Sequence, residues 1–132
     1  MMENDLFNNA EQKLEIEEKK EELKREREAM LREAVSKYQD AAMEGDPRAQ
    51  YALAHAYFQA QDYVTSLSWW NQAAKKGLTY AWTRVALQYA YGLGVDKDPA
   101  KAMDCLWNAI HGDPEDMNAL AYLGMFYEQG IG

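Results

Sequence analysis

The sequence predicts an all-α fold: an α-solenoid of antiparallel helix pairs with a right-handed superhelical twist, led by a long charged helix. Three observations carry this. Apolar positions recur with helical spacing, as at Ala81, Val85 and Tyr89, and the small Ala86 beside that stripe permits close approach by a neighbour. The pattern repeats: Ala49, Leu53, Ala54 and Tyr57 match Ala81, Val85, Ala86 and Tyr89 at a constant offset of 32 residues, and Ala119, Leu123, Gly124 and Tyr127 follow 38 further on. Self-similarity at that period, with helical spacing inside each unit, marks stacked helix pairs. Third, breakers separate the units, as Gly45, Gly77 and Gly92-Leu-Gly94 and as Asp-Pro pairs at Pro47, Pro99 and Pro114. Aspartate accepts the orphan N–H bonds at an N-cap and proline is tolerated in the first helical position, so each pair marks a helix start.

Taken in order, residues 1–33 read as a disordered start followed by a charged helical extension, and residues 34–132 as the repeat solenoid. Residues 1–9 carry no pattern. Glu11 to Glu33 is a dense run of Glu, Lys and Arg without Gly or Pro, all good helix formers. Glu15–Lys19, Glu21–Arg25 and Glu28–Arg32 stand as i,i+4 pairs, each worth roughly 0.2–0.5 kcal/mol. Ile16, Leu23 and Met30 keep a spacing of seven, but the matching d places hold charges such as Lys19 and Glu26, which is poor coiled-coil chemistry. The segment is therefore a solvated extension, a self-association helix or a docking element for a partner. Nothing breaks it before Ala34, so one helix is expected from about residue 10 to Glu44. Further helices are expected at 47–59, 63–76, 79–91, 99–111 and 115–129. Gly130-Ile-Gly132 is the first half of another turn, so a truncated array, or an open C-terminal edge that another chain completes, is expected.

The second helices recur as well, ending in Ala41-Ala42-Met-Glu-Gly45 and Ala73-Ala74-Lys-Lys-Gly77. Together with Tyr89…Gly92-x-Gly94-Val95-x-x-Asp98-x-x-Lys101-Ala102, these endings resemble Sel-one-like repeats, relatives of tetratricopeptide repeats, from about Glu33 to Gly132. The first unit departs from the pattern, because Phe58-Gln-Ala-Gln-Asp-Tyr63 replaces the longer glycine turn. Cys105 and Leu106 stand where the second unit's pattern would have Trp and Tyr, so looser packing than at the counterpart Trp69-Trp70 is expected there. The resemblance implies a scaffold that binds proteins or peptides, with no catalytic residues to carry over.

Composition narrows the function further. A net charge of −8 and a pI near 4.7 argue against nucleic acid, whose phosphates demand a basic patch. One cysteine, Cys105, cannot form an internal disulfide, and two histidines supply no metal-ligand cluster, so no cofactor or metal is expected. No run approaches the ~20 apolar residues of a membrane span, and the acidic, polar N-terminus is unlike a secretory signal, which reads as cytoplasmic. No nucleophile motif such as Gly-x-Ser-x-Gly is present, so an enzyme is not expected.

A binding face follows from helical angles. With Leu53, Val85 and Leu123 at the centre of the buried stripe, positions five and two residues to either side point the opposite way. They are Arg48, Tyr51, His55 and Phe58 in the first unit, Tyr80, Thr83, Leu87 and Ala90 in the second, and Asn118, Ala121, Met125 and Glu128 in the third. A merely solvated face would be rich in Lys and Glu, whereas this one offers aromatics, Leu and Met, the types enriched at interface cores. The expectation is a protein or peptide ligand across Arg48, Tyr51, His55, Phe58, Tyr80, Thr83, Leu87, Asn118, Ala121 and Met125, on a concave surface. The competing expectation for these side chains is burial between neighbouring first helices. The competing function is a structural or oligomerisation module acting through the charged helix.

Overall fold

The computed structural model describes residues 2–130, with side chains from residue 8 onward. Among them run six helices, each packed on the next: α1 (Met2–Met43), α2 (Pro47–Gln59), α3 (Tyr63–Lys75), α4 (Ala81–Tyr91), α5 (Pro99–Gly112) and α6 (Met117–Glu128). The chain is an all-α solenoid.

Helix α1 begins at Met2, so residues 2–9 are helical where a disordered start was expected; Met1 lies outside the described residues. No Gly or Pro occurs between Met2 and Glu44, and nothing local stops the helix until Gly45. There the backbone turns left-handed, with φ 99°, and the Asp46 N–H reaches back to the Ala41 carbonyl, which ends α1 in a Schellman-like cap. Among the described residues, the ion pairs on α1 are Lys19–Glu22 at 3.4 Å and Lys20–Glu17 at 3.6 Å. Both are i,i+3; the i,i+4 contacts expected at Glu15–Lys19, Glu21–Arg25 and Glu28–Arg32 do not form. Residues three and four apart are equally neighbours on a helix surface, and solvated side chains choose between them freely.

Asp46, Asp62, Asp98 and Asp116 cap α2, α3, α5 and α6, accepting from the backbone N–H of Arg48, Thr65, Lys101 and Ala119. Asp113 does not start a helix; it is the C-cap of α5, its N–H donating to the Ala109 carbonyl. It accepts the Asp116 N–H in a turn, so Pro114 sits ahead of α6 and the start expected at 115 moves to Met117. Helix α4 starts without a side-chain cap, two residues later than expected, because Leu78 and Thr79 form a turn whose carbonyls accept from Ala81 and Trp82.

The core contains many alanines, which let helices approach closely, and a few large side chains: Leu53, Trp70, Val85, Leu106 and Phe126 are almost fully enclosed. Cys105 and Leu106 are buried as well, so the looser packing expected of α5 is absent; Met103 and Phe126 complete that cluster. On α6, Leu123 is covered and Tyr127 remains 56% exposed.

The two inter-helix turns within the units differ. Between α2 and α3, three residues suffice, and Gln61 takes a left-handed backbone at φ 66°. Between α4 and α5, Gly92 (φ 68°) and Gly94 (φ 71°) carry a longer turn that lies on the start of α3. A Cβ at Gly94 would stand 2.6 Å from the Tyr63 carbonyl carbon. The buried Gln88 fastens this contact, donating from Nε2 to the carbonyls of Tyr63 at 2.9 Å and Leu93 at 3.0 Å.

Candidate functional site

Tyr51 stands where α2, α3 and α4 meet. Its ring packs edge-on against Tyr80, with centroids 4.8 Å apart, and at 6.0 Å from Trp70 of α3. Its hydroxyl accepts a 3.0 Å hydrogen bond from Nε of Arg84, whose guanidinium carbon lies 5.9 Å from the centre of a Trp70 ring. Phenol and indole together thus orient a side chain that would otherwise sweep solvent.

Two clefts meet at this pair. One, of about 340 Å³, is lined by Tyr51, Tyr80, Thr83, Arg84, Leu87, Asp116, Asn118 and Tyr122. The other, of about 490 Å³, is lined by Met30, Ala34 and Tyr38 of α1, by Tyr51, Ala52, His55, Ala56 and Gln59 of α2, and by Arg84. Tyr51 and Arg84 line both, so the clefts form one groove across α1, α2, α4 and the start of α6. Of the residues expected at a binding face, Tyr51, Tyr80, Thr83, Leu87 and Asn118 gather in the first cleft and His55 in the second. Arg48, Phe58, Ala121 and Met125 line neither.

Several of these side chains were expected to look at solvent and do not. Thr83 is only 6% exposed, while Tyr51, Phe58, Leu87 and Met125 are half-buried against the central core. For Tyr51 and Phe58, Trp70 is the reason. It rises from α3 between α2 and α4, and Phe58 packs on it at 5.3 Å as Tyr51 does at 6.0 Å. Tyr51 is therefore also a core residue, and truncating it would cost stability as well as groove surface. Conversely, Arg84, Asp116, Tyr122, Met30 and Tyr38 line the groove but lie outside the set chosen from helical angles. Arg84 was legible in one respect, as the only charged residue of α4.

The groove's permanent charges are one Arg and one Asp. Asp116 is engaged as the α6 cap, accepting from Ala119 at 3.1 Å. His55 titrates below its ordinary 6.5, because partial burial disfavours its cation and the Arg84 charge opposes it further. Away from the groove, burial pushes the Cys105 thiol up to about 11, which keeps it protonated and a poor nucleophile at neutral pH. Among the described residues, no three His, Cys, Asp or Glu side chains group to hold a metal ion, and no helix is long and apolar enough to cross a membrane.

No family model matches the chain. A stretch of 65 residues, 49% of the chain, is 36% identical to the ERAD-associated E3 ubiquitin-protein ligase component HRD3 of Candida glabrata, of which it spans 8%. The fold matches the crystal structure of a Sel1 repeat protein from Oxalobacter formigenes with a TM-score of 0.64 and 27% identity, over 72% of this chain and 40% of that one. The chain is a Sel1-like repeat protein. It spans less than half the length of either relative. In this Sel1-like repeat protein the Gly92-x-Gly94 turn closes the second unit onto the first, and the groove draws its lining from both units.

Proposed function

We propose that this Sel1-like repeat protein is a non-catalytic protein–protein interaction scaffold that holds an extended peptide segment of its partner on a concave face of the array. The meeting of two clefts at the Tyr51–Arg84 pair carries this reading, because it makes one elongated depression with contributions from four helices rather than an isolated pit. Its walls alternate phenol rings, small alanines and a few polar tips, which supply apolar contact area at low conformational-entropy cost. Likeness to a repeat protein and to a ligase component supports a scaffold role.

A second reading has one observation in its favour. Leu14, Ile16, Leu23 and Met30 are all exposed on α1, more apolar surface than a purely solvated helix needs, so α1 is a candidate for self-association or for a partner helix.

Selection of phage-displayed random peptides against the full chain separates the two. Binders in the groove should weaken at least tenfold with Tyr80→Ala or Asn118→Arg, both exposed positions, and should be indifferent to Ile16→Ser with Leu23→Ser. The opposite pattern would move the site to α1.

A further inference from the structure

Arg84 is held in place without being neutralised. Its Nε is engaged by Tyr51 and its guanidinium lies near Trp70, yet no carboxylate pairs with it: among the described residues the ion pairs are Lys19–Glu22 and Lys20–Glu17, both on α1. A guanidinium with Nε occupied still presents two Nη groups, the edge that accepts a carboxylate through two parallel hydrogen bonds. The ring contacts have already fixed the rotamers of a long side chain, so little entropy remains to be lost when an anion arrives. Its charge is felt inside the groove, since it helps hold the pKa of His55 down.

The surroundings of Arg84 narrow the anion. On one side the cleft is apolar, with Met30, Ala34, Ala52 and Ala56 on its walls. On the other are Asp116 and Asn118, and a second carboxylate there would face Asp116. Thr83, nearly enclosed in that wall, has a hydroxyl with no hydrogen-bond partner among the described residues. Arg84 lies between the two halves, so a chain lying through both sets an internal residue, not its terminus, opposite the guanidinium. The repeat body from Gly45 onward carries nine acids against six bases, so its long-range field does not gather polyanions.

Resting on the peptide-groove reading, we infer that the occupant is an extended partner segment with one internal Asp or Glu, its side-chain carboxylate on Arg84. An apolar residue on one flank enters the cleft of Met30, Ala34, Ala52 and Ala56, and an uncharged or basic residue on the other faces Asp116 and Asn118. A long acidic run does not fit, because the groove offers a single cation.

The test uses the full chain and a random library joined to the phage coat at its C-terminal end, so that no displayed peptide has a free carboxyl terminus. Selected sequences should show one Asp or Glu at a fixed register beside an apolar residue. As an amidated synthetic peptide, the leading sequence should weaken at least tenfold when that acid becomes its amide, Glu→Gln or Asp→Asn. The same change should have little effect on binding to Arg84→Met, and Arg84→Glu should instead favour the peptide with Lys in that place; circular dichroism and a melt establish that both variants are folded. Binders lost with Tyr80→Ala but without an acid preference would leave the groove reading standing and overturn this inference. So would an acid preference that survives Arg84→Met. A library with no binder sensitive to Tyr80→Ala would overturn both.

Discussion

The two turns that close the helix pairs solve one geometric problem by different means. The α2–α3 turn is three residues long and reverses the chain through a non-glycine residue, Gln61, at φ 66°. The α4–α5 turn uses two left-handed glycines and seven residues, and its extra length becomes contact: Gly94 lies on the backbone of Tyr63 and Val64 in the preceding unit. A longer loop is ordinarily an entropic liability, although a modest one. Here it is a clamp between neighbouring units, whereas the short turn, whose Ala60 and Gln61 only line a cleft beside α1, lacks the glycines such a close approach requires.

The largest effect should come from the clamp. Gly94→Ala places a Cβ 2.6 Å from a backbone carbon and also strains a left-handed residue, so a loss of ~3 kcal/mol or more is expected in urea unfolding. Gly92→Ala, whose Cβ would meet nothing closer than 3.4 Å, should lose only the ~1–2 kcal/mol of left-handed strain. Equal losses at the two glycines would mean that the approach to α3 carries no energy.

Next is the pair of buried glutamines. Gln88→Leu removes the side-chain donor to the Leu93 carbonyl and one of two side-chain donors to that of Tyr63, which keeps the Ser66 hydroxyl, at a cost of ~2–3 kcal/mol. Gln50, equally buried, makes one bond from Nε2 to the Ala42 carbonyl while its Oε1 has no partner. Gln50→Leu removes that unpaired acceptor together with the donor, so it should cost less than Gln88→Leu by ~1 kcal/mol or more. The same unfolding series reads both.

In the short turn the sign reverses. Gln61→Gly relieves a left-handed residue and adds unfolded-state entropy, for a net gain of about 0.5 kcal/mol. A loss would show that the Gln61 side chain contributes contacts that outweigh its backbone strain.

The smallest effect is titration of His55. Its pKa is lowered on folding, so below 6.5 the unfolded chain takes up a proton more readily than the folded one. Stability should therefore be full above 6.5, fall as pH drops through 6.5 toward the folded value, and level off below it. His55→Asn should flatten that part of the pH profile, measured by thermal melts between pH 7 and 5.

Much of this architecture was legible in the chain, and for physical reasons. Leu53, Val85 and Leu123 sit at the centre of a 3.6-residue periodicity, and all three are buried. Asp46 and Asp98 do cap helices, because an N-cap depends on a few adjacent residues. Pro114 misled because Asp116 offers a competing cap two residues later. The groove was legible only in part. Helical angles place Tyr51, Tyr80 and Asn118 on one side of their helices, but not what stands between those helices. Trp70 of α3 draws Tyr51 and Phe58 inward, and Arg84 gains its position from Tyr51, 33 residues away in sequence. Local periodicity contains no term for such contacts.

The 42 residues of α1 reach about 60 Å at ~1.5 Å each, and its last ten pack into the body while Met30 lines the groove. An unbroken hydrogen-bonded helix is also a shaft with an index mark. Its exposed stripe of Ile16, Leu23 and Met30 is held at a fixed azimuth to the groove by backbone geometry alone. Deleting one residue between Lys24 and Ala29 would turn Ile16 and Leu23 about 100° away from Met30 and draw them ~1.5 Å closer, leaving the packing among α2 to α6 intact. Inserting seven would restore the azimuth to within about 20° while moving the stripe ~10 Å outward, so angle and reach can be varied separately along this one helix.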